Sequence, residues 1–245
     1  MNVVVIAGGQ ATRMKPLTDE TPKCLLDVGG KPLLEHQVLE YKRQGYSDFI
    51  FCVAHMAEKV EGHFGSGSGL GVRIRYSNDG DTPLGTAGSV KNAEDLIGPE
   101  GRFIVCYGDV LTNMRFDRLV EFHGGKNAVA TITLRPLPPG YRSSSVVKVG
   151  AGGEVTAFDE REGGDGRGIV GGRINSGIYV CEKDVFGLIP GGARYDFATQ
   201  VFQEMIRRRL GLYGYETGEF YREIGRAGKY RAFLDEVRGR GRVFP

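Results

Sequence analysis

The sequence has little that would staple it or bias its partners. Its four cysteines (Cys24, Cys52, Cys106 and Cys181) are scattered with no CxxC pair. That pattern argues against a disulfide framework or a zinc cluster and suits buried free thiols in a reducing compartment. No apolar run approaches the ~18 residues of a membrane-crossing helix. The opening MNVVVIAGG carries no cleavage signal, so a cytoplasmic protein is expected. Charge of one sign is also missing: 32 basic and 30 acidic residues leave a net +2, too balanced for nucleic acid or a membrane surface to be the main partner. The basic clusters at Arg207–Arg209 and Arg238–Arg242 read as a solvated helix end and tail. Two phosphate-binding signatures are absent: no G-x-x-x-x-G-K-[ST] occurs, and G-x-G-x-x-G does not follow the first strand. These absences exclude a P-loop and argue against a dinucleotide-binding oxidoreductase.

Glycine is what the chain has in excess, 39 of 245 residues, about 16% against an average of roughly 7%. The glycines are not periodic and lie between apolar runs, which excludes collagen and predicts tight turns and loops where a ligand meets the backbone. A chain of this length buries roughly 70–75% of its unfolded surface and needs no metal or disulfide to fold.

Short β-branched and aromatic runs predict strands at Met1–Ala7, Asp48–Ala54, Val72–Tyr76, Arg102–Tyr107 and Ala128–Leu134. Helical spacing of apolar residues predicts helices at Leu33–Gln44, Met56–Phe64, Thr86–Ile97 and Phe116–His123 between them. Such alternation indicates βαβ units and a mostly parallel sheet. After Pro136, shorter strands at Val146–Val149, Val155–Phe158 and Ile174–Cys181 are followed by helices at Phe197–Arg209 and Lys229–Val237. The expectation is one α/β domain over 1–245, whose second half, from residue 136, adds β-structure over the sheet.

The strongest chemical signal is Ala7–Lys23, AGGQATRMKPLTDETPK, directly after the first strand. Gly8 and Gly9 allow backbone N–H groups to turn inward on phosphate oxygens. Arg13 offers a planar fork for a polyphosphate and Lys23 a compact point charge, with Pro16 and Pro22 fixing the loop between them. Asp109 follows a buried strand and a glycine, at the sheet edge where open α/β sheets place ligands. A carboxylate there suits Mg²⁺, although a turn aspartate would look the same. The small residues of Leu84-Gly85-Thr86-Ala87-Gly88 would let a flat base lie on the backbone, and Thr86 would also serve as a helix N-cap. Asn175, on a strand, is either a sugar-hydroxyl partner or a strand-end turn residue.

Taken in order, five landmarks resemble the sugar-1-phosphate nucleotidylyltransferases. These are Gly8-Gly9-x-Ala11-Thr12-Arg13 with Pro22-Lys23, Leu84–Gly88, Tyr107-Gly108-Asp109, Asn175-Ser176-Gly177-Ile178-Tyr179 and Tyr221-Arg222-Glu223-Ile224-Gly225. The resemblance implies a Rossmann-like nucleotide-diphospho-sugar transferase fold, with helices on both faces of the sheet, a nucleotide-binding half at 1–135 and a sugar-phosphate-binding half at 136–245. It implies the reaction of an NTP with a sugar 1-phosphate to give an NDP-sugar and pyrophosphate. Arg13 and Lys23 would be catalytic, while Ala7, Gly8, Gly9, Gly85 and Thr86 would bind nucleotide. Glu160, Arg161 and Asn175 would bind the sugar phosphate, and Asp109 with Glu223 would hold Mg²⁺.

Three positions depart from the family pattern. Ala11 replaces a glycine, which is harmless where φ is negative. Arg161 replaces a phosphate-binding lysine, and Glu223 replaces an aspartate. The last two keep a non-catalytic nucleotide-sugar-binding regulatory subunit as an alternative. The Leu-Gly-Thr-Ala-Gly loop and the Ala-Thr-Arg variant resemble mannose-1-phosphate and heptose-1-phosphate guanylyltransferases, with UTP-, dTTP- and CTP-dependent relatives left open. No C-terminal β-helix is expected, and a homo-oligomer is left open.

Overall fold

The computed structural model describes residues 1–137, 145–160 and 172–245. The first half runs β1 (Asn2–Ile6), α1 (Leu33–Arg43), β2 (Asp48–Val53), α2 (Ala57–Phe64), β3 (Arg73–Asn78), α3 (Gly85–Asn92), β4 (Arg102–Tyr107), β5 (Val110–Thr112), α4 (Phe116–Gly125) and β6 (Ala130–Pro136). The second half runs β7 (Ser145–Val149), β8 (Val155–Glu160), β9 (Arg173–Glu182), α5 (Phe202–Arg208), β10 (Leu212–Glu216), β11 (Tyr221–Glu223) and α6 (Ala227–Arg240).

Among the described residues nine strands join one sheet, ordered β10-β6-β9-β4-β1-β2-β3, with β7 and β8 attached beside β9. Strands β1, β2, β3 and β4 run parallel, as do β6 and β10. Strand β9 lies antiparallel between β4 and β6. The second half therefore inserts β9 into the sheet and adds β10 at its edge, rather than lying over it as expected. The reason is that β9 is apolar on both faces, buried from Gly177 neighbours through Cys181, and only an interior position covers both.

The two faces separate by the two-residue period of a strand. Val4, Ile50, Cys52, Phe103 and Val105 pack with Ala87 and Val90 of α3 and with Phe202 and Met205 of α5. Val3, Val5, Phe49, Phe51 and Ile104 face the other way, onto Leu34, Val38 and Tyr41 of α1, Val60 of α2 and Phe116 of α4. All four cysteines are buried and free. No helix among the described residues is long and apolar enough to cross a membrane.

A third apolar cluster sets up the functional edge. Tyr230, Phe233 and Val237 of α6 pack against Met14, Leu26, Val28, Leu111 and Ile224, and the Tyr230 hydroxyl donates to the Asp27 carbonyl at 2.6 Å. This docks the last helix onto the loop that follows β1 and onto the two-stranded β5–β11 ribbon.

Two expected helices are shorter. The segment at Thr86–Ile97 is α3 plus a 3₁₀ turn at Glu94–Leu96, and that at Phe197–Arg209 opens with a π turn over Phe197–Val201. Strands β5, β10 and β11 were not anticipated: β5 and β11 have three residues each, and Gly214 interrupts the apolar alternation of β10.

Candidate active site

Asp109 sits in the turn between β4 and β5, past the C-terminal end of a central parallel strand. The turn is held from below by Gln37 of α1, whose side-chain amide donates to the Tyr107 carbonyl at 3.0 Å and also to the Val110 carbonyl. Gln37 is 1% exposed, a positioning role that its place in a helical stretch did not reveal. Gly108 packs tightly here, where a Cβ would lie 3.0 Å from the Ile6 carbonyl oxygen of β1.

The β5–β11 ribbon brings Glu223 alongside. Glu223 pairs with Val110, and the Ile224 amide donates to the Asp109 carbonyl at 2.8 Å. Buried Gly225 completes the arrangement: a Cβ there would overlap Glu223 Oε1 and stand 3.8 Å from Asp109 Oδ2. The longer glutamate side chain thus folds back into space that only a glycine leaves free, toward the aspartate. Each carboxylate carries a lysine. Lys23 Nζ lies 2.5 Å from Asp109 Oδ2, and Lys229 of α6 pairs with Glu223.

Among the described residues no three His, Cys, Asp or Glu side chains converge on one point. Two hard oxygen donors at the sheet edge still fit Mg²⁺, which commonly takes one or two carboxylates and completes its shell with water and substrate phosphate. Cys24, next to Lys23, is no nucleophile, since burial pushes its thiol up to about 12.

The loop after β1 lies next to this edge. Gly8 passes close to the end of β2, where a Cβ would meet the Ala54 Cβ and amide at 3.0 Å. The Ala7 amide donates to the Cys52 carbonyl at 2.8 Å, so Ala7 and Gly8 are fixed, while Gly9 is exposed. Ala11 departs from the expectation of negative φ: it is left-handed, at φ 49. Its carbonyl accepts from the Met14 amide at 2.8 Å and the Thr18 hydroxyl at 3.1 Å, which hold this conformation. Arg13, exposed in the turn Thr12–Met14, has no side-chain partner among the described residues.

A cavity of about 370 Å³ opens beside Gly8, lined by Gln10, Ala54, His55, Glu58, Asp81 and Pro83 among others. Its lining from the β2–α2 junction and the loop after β3 carries no periodic signal, and sequence reasoning missed His55, Glu58 and Asp81.

The Leu84–Gly88 loop is explained first by packing. Gly85 has φ +72, and a Cβ would lie 2.7 Å from the Tyr195 carbonyl; at Gly88 it would lie 2.7 Å from the Ala193 carbonyl. Thr86 does not cap its own helix. Its hydroxyl accepts from the Phe197 amide at 3.0 Å, while Asp196 Oδ1 accepts from the Thr86 amide at 2.9 Å and from the Thr86 hydroxyl at 3.1 Å. Each segment caps the other. Gly85 and Thr86 therefore shape the wall behind Pro83 and do not line the cavity themselves.

Asn175 is held on both sides. Its amide donates to the Tyr179 hydroxyl at 3.0 Å, and its oxygen accepts from the Gly177 amide at 3.1 Å. The Tyr179 hydroxyl donates in turn to that of Tyr107 at 3.3 Å, two residues before Asp109. Gly177, at φ +69, approaches the Tyr107 ring so that a Cβ would lie 3.1 Å away. Arg161 lies outside the described residues, as does the side chain of Glu160, whose backbone pairs with Ser145 at the end of β8.

Residues 2–237 match the family described as Nucleotidyl transferase. A UTP–glucose-1-phosphate uridylyltransferase of Synechocystis is 29% identical over 94% of this chain and 61% of its own length. A mannose-1-phosphate guanylyltransferase of Mycobacterium tuberculosis is 31% identical over 98% of this chain and 65% of its own. This chain thus spans less than two thirds of the length of these two relatives. A probable glucose-1-phosphate cytidylyltransferase of Bacillus subtilis is 30% identical over 78% of each chain. The crystal structure of HddC from Yersinia pseudotuberculosis complexed with GMP-PN superposes with a TM-score of 0.78, at 22% identity over 96% of this chain and 99% of that one, and so shares the fold. With the family match running nearly end to end, this chain belongs to the nucleotidyl transferase family.

Proposed function

We propose that this chain transfers the nucleotidyl group of an NTP to a sugar 1-phosphate, releasing an NDP-sugar and pyrophosphate, and that GTP with a mannose- or heptose-type sugar is the preferred pair. The observation that carries the reaction is the convergence of Lys23, Asp109 and Glu223 at the sheet edge, beside a glycine loop and a base-sized cavity. A sugar-phosphate oxygen forms the new bond to the α-phosphorus while the bond to the β-phosphate oxygen breaks. The protein need only hold the two in line and neutralise charge. Arg13 would bind the departing pyrophosphate through its guanidinium. Lys23 can leave Asp109 for an α-phosphate oxygen. Asp109 and Glu223 would hold Mg²⁺, which supplies further positive charge to the phosphates. Asn175, braced by Tyr179 and Gly177, would present its remaining N–H to a sugar hydroxyl, and Glu160 and Arg161 would complete the sugar-phosphate site.

The preference for guanine draws support from the cavity. Glu58 and Asp81 both line it, and carboxylates only accept hydrogen bonds. Guanine alone presents neighbouring N1–H and N2–H₂ donors to such a group, whereas uracil and thymine flank their single N–H with two carbonyls. Pyrophosphate release measured over a grid of NTPs and sugar 1-phosphates tests this. One strong combination, GTP with a manno-configured sugar, is expected. A strong signal with UTP alone would overturn the base assignment, and nucleotide binding with no release in any combination would overturn the reaction.

A further inference from the structure

Lys229 is not explained by the reaction as derived or by the helix that carries it. It is the third residue of α6, at the positive end of the helix dipole, where a cation is unfavourable. The N-cap residue Arg226 is also basic, no acidic residue lies in the first turn, and no side chain caps the helix. The partner of Lys229 is instead the Glu223 carboxylate. Glu223 is also the residue whose oxygen reaches over Gly225 toward Asp109. With Lys23 on Asp109, both carboxylates of the pair are neutralised by lysines from different parts of the chain.

We propose that Lys229 is a tethered counter-ion for Glu223, which a divalent cation must displace, so that the carboxylate pair excludes free metal and accepts it together with substrate phosphate. This rests on the reading of Asp109 and Glu223 as the metal-holding pair. Lys229 here is a positioning residue: it touches neither metal nor substrate when the site is loaded. Two negative oxygens facing one space would attract any divalent ion from solution. With an ammonium on each, the net charge of the cluster is near zero and the free ion gains little. The anionic phosphates of a nucleotide change that balance, because they offer Lys23 another partner and the ion additional oxygen ligands, which offset the displacement of Lys229. Lys229 is exposed and only one turn into a helix that docks through Tyr230, Phe233 and Val237, so replacing it leaves the fold intact.

The test is Mn²⁺ binding to the substrate-free chain, followed by electron paramagnetic resonance of the free ion. Lys229→Gln is expected to bind Mn²⁺ about tenfold more tightly than the wild type, the effect of removing one partly screened charge a few ångströms from a divalent ion. Lys229→Arg, which keeps the charge, is expected to bind as the wild type does. Adding Asp109→Asn to Lys229→Gln is expected to abolish the gain. If Lys229→Gln binds no more tightly while Asp109→Asn still weakens binding, the counter-ion role is wrong and the metal pair stands. If Asp109→Asn changes Mn²⁺ binding in neither background, both are wrong.

Discussion

Glu223 lies against Asp109 because two three-residue strands, one from each half of the chain, pair antiparallel and let the Ile224 amide reach the Asp109 carbonyl at 2.8 Å. Leu111 of the first strand and Ile224, just past the second, pack on α6, so that helix covers the pairing. The candidate reaction centre is thereby tied to the docking of the last helix, through Ile224, Phe233 and Val237.

Gly225 is the position at which this arrangement can be broken without touching a charge. Gly225→Ala would put a methyl group against Glu223 Oε1 and push that carboxylate aside. Activity is expected to fall on the order of a hundredfold, the scale of a misplaced catalytic group, with an unchanged circular dichroism spectrum. Combining it with Glu223→Asp, whose shorter side chain vacates that space, is expected to restore part of the loss. No recovery would mean that the overlap is not the cause.

Ala11 offers a stability test of its left-handed backbone. An alanine at φ 49 costs roughly 1–2 kcal/mol relative to an ordinary conformation, whereas glycine is free of that strain but loses more chain entropy. Ala11→Gly is therefore expected to stabilise the protein by about 0.5–1 kcal/mol in urea unfolding. A destabilisation would indicate that Ala11 is unstrained.

Much of the fold is legible in the sequence for a clear reason. Runs such as Arg102–Tyr107 are apolar on both faces and bounded by glycine, and the observed β4 has the same limits. What the sequence does not carry is order. Nothing in Arg173–Glu182 announces that it will lie antiparallel between β4 and β6, because any doubly apolar strand would satisfy an interior slot. The same limit holds at the site. The glycines and Asp109 stand out because they follow buried strands. Gln37, Glu58, Asp81 and Lys229 act through tertiary neighbours, and no spacing along the chain reports those. Thr86 shows the converse: its capping chemistry is visible, and so is a helix from Phe197, but nothing along the chain pairs the two.

His123 should set the acid side of the stability profile. It is fully buried and hydrogen-bonded to Thr131 at 2.9 Å and Glu182 at 3.2 Å. Burial holds its imidazole below the usual value of 6.5, against the opposing pull of Glu182. The unfolded chain then binds a proton before the folded one does. Stability from this group is complete above pH 6.5 and declines as pH falls below it. Thermal melts from pH 7.5 to 5.5 are expected to show a falling midpoint, with a shallower slope in His123→Asn. Equal slopes would remove His123 as the cause.

The most direct test of the account is Mg²⁺-dependent pyrophosphate release by Asp109→Ala beside the wild type, with circular dichroism on both. The carboxylate pair as reaction centre predicts a loss of at least about a thousandfold, the scale of removing a central charge-stabilising group, in a protein that remains folded. Activity within tenfold of the wild type would contradict it and place the chemistry elsewhere in the molecule.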